Sequence, residues 1–232
     1  MFLVVKNLNK TYGTNENKIS VLKDINFSLE KGALCTLLGP SGSGKSTLLN
    51  AIGGLEKIDS GLITINNCEI SSLKQNPLSN FRRKYLGFIF QFYNLIPDLN
   101  VTENIQVGSF IHNDPIDIEK LIKDLGLWEH KNKYPRQLSG GQQQRCAIGR
   151  ALIKKPEILL CDEPTGALDY KTSKDILSLL QRINKEYETT IILATHNEEI
   201  TKMSNIIIRL KDGVISKEMK NEKVLDAQEL EW

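Results

Sequence analysis

Ala33-Leu34-Cys35-Thr36-Leu37-Leu38-Gly39-Pro40-Ser41-Gly42-Ser43-Gly44-Lys45-Ser46-Thr47 decides the reading of this chain. Its apolar first part reads as a buried strand, and a helix is expected from Lys45 to about Ile52. Between them the spacing G-x-x-x-x-G-K-[ST] is that of a phosphate-binding loop in the strand-loop-helix setting the motif needs. The glycines let successive backbone N–H groups face one anion, and the helix start adds partial positive charge. Gly39, Ser41, Gly42, Ser43, Gly44, Lys45, Ser46 and Thr47 are therefore the expected nucleotide cradle. Lys45 would bridge the β- and γ-phosphates, and the Ser46 hydroxyl would take one Mg²⁺ position.

The 232 residues suffice for one sizeable core, or a core with an inserted lobe. With 30 Lys and Arg against 28 Asp and Glu, the net charge of +2 supplies no long-range field for nucleic acid or an acidic membrane. Cys35, Cys68, Cys146 and Cys161 are scattered, which suggests neither a zinc site nor a disulfide framework. The opening apolar run is too short for a signal peptide, and no apolar segment approaches the roughly 20 residues that cross a bilayer. The expectation is a cytoplasmic protein with no direct membrane insertion, whose membrane work would need another chain.

Outward from the loop, period-2 patterns at residues 2–9 and 19–29 predict two antiparallel strands joined through residues 13–17. Tyr12, placed in the connecting loop, is open to packing or to stacking on adenine. Asn66-Asn67 predicts a hairpin, followed by a helix over 77–85, a strand over 86–90 ending at Gln91, and an apolar loop over 92–97. Residues 101–153 read as helical, with Thr102 as a candidate cap and Ile118, Leu121, Ile122 and Leu125 on one face of a short helix. Then come a strand at 158–161, a helix over 170–187, a strand at 190–194, and a hairpin around Asp212-Gly213. The predicted class is α/β: a phosphate-loop core with a mainly parallel sheet and an N-terminal antiparallel β lobe, residues 1–91 and 156–232, interrupted by a helical lobe at 92–155.

Four apolar runs, 33–38, 86–90, 158–161 and 190–194, are short and unalternating, as in strands buried on both faces of a parallel sheet. Ligands of such sheets bind beyond the carboxyl ends of the strands. There stand the phosphate loop, Gln91, Asp162-Glu163 and Thr195-His196. Asp162 would hold Mg²⁺. Strand alternation would direct Glu163 away from it to orient or deprotonate the attacking water. His196 could hydrogen-bond the γ-phosphate or that water, and Gln91 could position metal or water. Leu138-Ser139-Gly140-Gly141-Gln142, leading into a helix, is a second anion site by the same physics. Two anion sites on different lobes suggest a phosphate held by two copies of the chain.

In order and spacing, these motifs together with Ala167-Leu168-Asp169 resemble the ATPase subunits of ABC transporters over nearly the whole chain. The resemblance implies a head-to-tail homodimer holding two ATP molecules at its interface. Tyr12 would be the aromatic that stacks on adenine; Lys45, Ser46, Gln91 and Asp162 the phosphate and Mg²⁺ contacts; Glu163 the catalytic base and His196 the switch histidine. Ser139, Gly140 and Gly141, within the signature that ends at Gln142, would be the contacts to the other copy's γ-phosphate, and Asp169 would couple the two sites. Residues 88–97 and 162–169 look like the subgroup of macrolide-export, lipoprotein-release and antimicrobial-peptide-resistance ATPases. That subgroup works with a permease bearing a large extracytoplasmic domain, which places the subunit on the inner face of the membrane. Phe92, Tyr93, Leu95 and Ile96 are the expected docking loop for that permease. The alternatives are a division-associated ATPase that controls cell-wall hydrolases, a soluble non-transport ATPase of the same family, and a small-molecule kinase.

Overall fold

The computed structural model describes residues 1–13, 17–111 and 115–232. The predicted link through residues 13–17 therefore lies partly outside the described residues, as does the predicted helical pattern at residues 112–114. The strands β1 (Leu3–Tyr12), β2 (Ile19–Leu29), β4 (Ser60–Ile65) and β5 (Cys68–Glu69) form an antiparallel sheet in the order β2-β1-β4-β5. The second sheet has the order β10-β9-β3-β8-β7-β6, from β3 (Leu34–Leu38), β6 (Leu86–Ile89), β7 (Ile158–Asp162), β8 (Thr190–Thr195), β9 (Ile206–Lys211) and β10 (Val214–Lys220). All its pairings are parallel except β9 with β10.

The unalternating runs have a direct cause. Leu34, Leu159, Cys161, Ile191 and Leu193 enter one apolar cluster, while Cys35, Leu37, Ile158, Leu160, Ile192 and Ala194 enter another on the opposite face. The first cluster lies against α3 (Val101–Gln106), α4 (Ile118–Asp124), α5 (Gly140–Leu152) and α6 (Tyr170–Tyr187). The second packs the sheet on α1 (Lys45–Ile52) and the antiparallel lobe, with Phe81 of α2 (Gln75–Tyr85). Both faces are apolar because both are covered. Residues 92–155 contribute no strand among the described residues, and their apolar side chains share one cluster with the sheet.

Several local expectations shift. Tyr12 ends β1 instead of standing in a loop. Asn100, not Thr102, caps α3: its side chain accepts from Glu103 N while Glu103 accepts from Asn100 N, a reciprocal pair that satisfies two helix-end donors. Thr102 sits inside the helix and bonds the Lys131 carbonyl. The C-terminal hairpin joins the parallel sheet through β9 on β3. Its turn meets the other sheet where Lys23 N–H donates to Gly213 O at 2.8 Å.

Candidate nucleotide site

The carboxyl ends of β3, β6, β7 and β8 open into a cleft of about 690 Å³. Tyr12, Ser41, Gly42, Gly44, Lys45, Ser46, Thr47, Gln91, Glu163 and His196 line it, with Val21 and Pro40. Gly39 and Ser43, also expected in the cradle, are buried in the loop and do not line the cleft. Gly39 O accepts from Lys45 Nζ at 2.7 Å, and Pro40 O does so at 3.1 Å. Gly44 precedes α1 with φ +103, and a Cβ there would come within 2.9 Å of Val21 O, so only glycine fits this turn.

Glu163 lies one residue beyond β7 in a left-handed conformation, φ 47. The alternation argued from sequence therefore does not apply. The turn itself aims the carboxylate, anchored by Glu163 N–H donating to Ala194 O at 3.0 Å. Its Oε1 stands 3.7 Å from Lys45 Nζ and 3.1 Å from His196 Nδ1. An acid held between an ammonium and an imidazole can accept a proton from water while its neighbours fix its position.

Asp162 sits beside this group. Burial pushes its carboxyl above the usual carboxylate range, against the Ser46 hydroxyl that hydrogen-bonds it; Glu163 adds to the rise and Lys45 opposes it. Among the described residues its Oδ1 is buried without a hydrogen-bond partner, as is Ser43 Oγ. Each such atom costs about 1–3 kcal/mol until something bonds it. A phosphate at the loop and a hard cation at Asp162 would satisfy both. Ser46, Gln91 and Asp162 offer a hydroxyl, a carboxamide and a carboxylate, the oxygen donors that suit Mg²⁺.

Ser139, Gly140, Gly141 and Gln142 do not line this cleft. They open α5, where Ser139 Oγ accepts from Gln142 N at 3.3 Å and Gln142 Oε1 accepts from Ser139 N at 3.0 Å. Gln142 Nε2 meets His130 Nε2 at 2.9 Å, so both ends of this carboxamide are engaged within the chain. The Ser139 oxygen accepts one bond and keeps its O–H to donate. The first amides of α5 have no partner within the helix. A Cβ on Gly141 would come 2.4 Å from the Thr172 methyl, which explains glycine there. Asp169 caps α6 through Thr172 N at 3.0 Å, and the Thr172 hydroxyl donates to the same carboxylate at 2.6 Å.

Of the apolar loop, Phe92 (75 % exposed) and Ile96 face solvent, whereas Leu95 packs on the core. The Tyr93 hydroxyl lies 2.8 Å from where a Gly140 Cβ would stand. Two residues that the sequence did not single out hold this loop. Arg150 of α5 donates to Asn94 O at 2.6 Å and Tyr93 O at 3.0 Å. Buried Asn104 accepts from Ile96 N and donates to Ile96 O, Leu99 O and Asn100 O. The available signal was an Asn three residues after Val101 and one before Ile105, on the apolar face of a helix, where a polar side chain must find partners nearby.

A groove beside the loop has an apolar floor that includes Phe88, Phe90, Val107 and Ala151. Its cations are Arg82, Arg83, Arg150 and Lys154, and among the described residues no carboxylate lines it. Burial lowers the Lys154 ammonium to about 8.

Residues 22–166 match the family model described as ABC transporter. The chain is 43% identical over 218 residues to the bacitracin export ATP-binding protein BceA of Halalkalibacterium halodurans, covering 92% of this chain and 86% of that one. It is 40% identical to the macrolide export ATP-binding/permease protein MacB of Neisseria meningitidis, covering 94% of this chain but only 35% of that longer protein. Mycoplasma relatives are also longer, the chain spanning 50–66% of them. Among solved structures, the dimeric post-hydrolysis state of the ATP-binding cassette MJ0796 with ADP and Pi, from Methanocaldococcus jannaschii, superposes with TM-score 0.87 at 40% identity. The match covers 94% of this chain and 98% of that one. A phosphate cradle, an acid and histidine at adjoining strand ends, and a separate Ser-Gly-Gly-Gln helix start thus coincide with this relationship across the chain: it belongs to the ABC transporter family of ATPases.

Proposed function

We propose that this chain is the ATP-hydrolysing subunit of a membrane transporter, and that two copies close head to tail around two ATP-Mg²⁺. One observation carries the reading: Tyr12, the glycine loop with Lys45, Glu163 and His196 share one cleft, while the Ser139-Gly140-Gly141 helix start stands elsewhere. The core, 1–91 and 156–232, would supply one half of each site, and the helical lobe of the other copy, 92–155, the rest. The dimeric relative bound to ADP and Pi supports this arrangement.

In that site Tyr12 stacks on adenine, the loop amides and Lys45 hold the phosphates, and Ser139 with the amides of Gly140 and Gly141 closes on the γ-phosphate from the other copy. Bound Mg²⁺, held by Ser46, Gln91 and Asp162, would neutralise charge on the phosphates. Glu163 takes the proton of the attacking water, a role worth roughly 10²–10⁴ in rate. His196 holds that carboxylate in place and senses the γ-phosphate.

Among the described residues no helix is long and apolar enough to cross a membrane. The subunit would work at the inner face, docked on a separate permease, with Phe92, Ile96 and the cationic groove receiving an acidic, amphipathic segment of it. The names of BceA and MacB support export of amphipathic compounds through a permease; that the permease bears a large extracytoplasmic domain is part of the same proposal. The test is Glu163→Gln with ATP and Mg²⁺ in size-exclusion chromatography. Accumulation of a stable dimer is expected, and a monomer at saturating nucleotide would overturn the shared site.

A further inference from the structure

We propose that Lys10 is a positioning residue for the nucleotide base, holding the Tyr12 ring as a platform at a fixed place relative to the phosphate cradle. The proposal rests on the reading of Tyr12 as the adenine-stacking ring.

Lys10 is 8 % exposed, and its Nζ lies over the Tyr12 ring, 4.8 Å from the centroid. The same ammonium pairs with Glu56 Oε1 at 2.5 Å and donates to Lys57 O at 2.7 Å. Burial acts to lower its pKa, but the Glu56 carboxylate, with Asp59, more than offsets that, and the net direction is upward. Lys10 is thus a fixed cation, and the ring beside it lines the cleft.

Residues 56 and 57 belong to the segment that leaves the phosphate-loop helix. Leu55 N and Glu56 N both donate to Asn50 O, folding the segment back on the last turn of α1. Two more bonds fasten it to β1: Thr11 N donates to Asp59 Oδ2 at 2.7 Å, and Asp59 N to Asn9 O at 3.0 Å. The buckle Lys10-Glu56-Lys57 therefore joins the strand bearing Tyr12 to the C-terminal end of the helix whose N-terminus holds phosphate. A nucleotide that touches both ends gains from a spacing fixed in advance. A cation on one face of an aromatic ring also restrains its tilt and draws electron density towards itself.

The experiment compares wild type, Lys10→Met, Lys10→Arg, Tyr12→Ala and the double variant Lys10→Met/Tyr12→Ala, with ATP and inorganic tripolyphosphate as probes. Lys10→Met should raise KM for ATP about three- to tenfold, the range set by a partly desolvated cation–π contact. It should leave kcat at saturating ATP and the affinity for tripolyphosphate unchanged, and Lys10→Arg should recover most of the loss. In the Tyr12→Ala background the lysine change should add nothing. An unchanged KM for ATP, an equal loss for tripolyphosphate, or a full additive effect in the double variant would overturn the proposal. If Tyr12→Ala alone leaves ATP affinity intact, the platform reading fails instead. Should Lys10→Met not fold, Glu56→Gln keeps the buried ammonium but loses its ion pair, and a rise in KM for ATP with tripolyphosphate unmoved is again required.

Discussion

His196 Nδ1 stands 3.1 Å from Glu163 Oε1, joining residues at the ends of the adjacent parallel strands β8 and β7. With Glu163 one residue beyond its strand, the imidazole and the Ala194 carbonyl together fix where the carboxylate points. Glu163→Gln should lower kcat by roughly 10²–10⁴ with ATP binding retained. His196→Ala should lower kcat by a smaller factor and not add its full cost to Glu163→Gln, because both act on one proton transfer. Single-turnover hydrolysis of the two variants and their combination checks this.

Separate placement of the cleft and the Ser139 helix start predicts complementation. Lys45→Ala loses its own cradle, and Ser139→Phe blocks the contact it offers to the other copy, so each protein alone should be inactive. Mixed, they can form dimers with one intact composite site, and ATPase activity should reappear in proportion to the mixed species. Mixtures as inactive as their components would count against sharing.

Asp162 is held above the ordinary carboxylate range, chiefly by burial. A raised folded-state pKa in an acid means that folding is disfavoured wherever the group is charged. The cost is present above the folded pKa and disappears as pH falls below 3.8, the unfolded value. Asp162→Asn should therefore raise the melting temperature of the nucleotide-free protein at pH 7 while abolishing Mg²⁺-dependent hydrolysis. Scanning calorimetry of the nucleotide-free protein reads the first effect, and phosphate release from ATP with and without Mg²⁺ reads the second.

Lys154 presents the opposite sign. Its folded pKa, lowered from 10.5 to about 8 by burial, lies below the unfolded one, so the cost of burying the charge is present below about 8 and relieved towards 10.5. At about 1.4 kcal/mol per pH unit the ceiling is roughly 3 kcal/mol. Lys154→Met should melt about 2–6 °C higher at pH 7 and lose the wild type's gain in stability between pH 8 and 10. If the groove receives the permease as proposed, the variant should also weaken stimulation by that partner.

Much of the site could be read from residue order alone, because each chemical element is local: a glycine loop after an apolar run, an acid pair ending another, a histidine ending a third. What escaped depends on contacts made at a distance or on backbone details of a single residue. That β9 lies parallel to β3 is invisible in a hairpin whose own pattern is complete. Asn100 was readable as a cap from Glu103 three residues on, yet Thr102 stood closer to the apolar pattern. Glu163 was placed by strand alternation, and the structure places it by a left-handed turn. Arg150 and Lys10 carry no motif, and only folding shows what they hold.

Arg150 grips the carbonyls of Tyr93 and Asn94 from the far half of α5, the helix whose first residues are the Ser139 box. Ten residues of helix, about 15 Å of stiff rod, separate that grip from Gly140. In the proposed pair of chains, a load applied to the aromatic loop of one chain would reach the nucleotide seated on its neighbour by two routes, through this rod and through the Tyr93 side chain that lies against Gly140. The wiring is crosswise, and a permease that presses unequally on its two subunits would time the two hydrolysis events in the reverse order of the pressing.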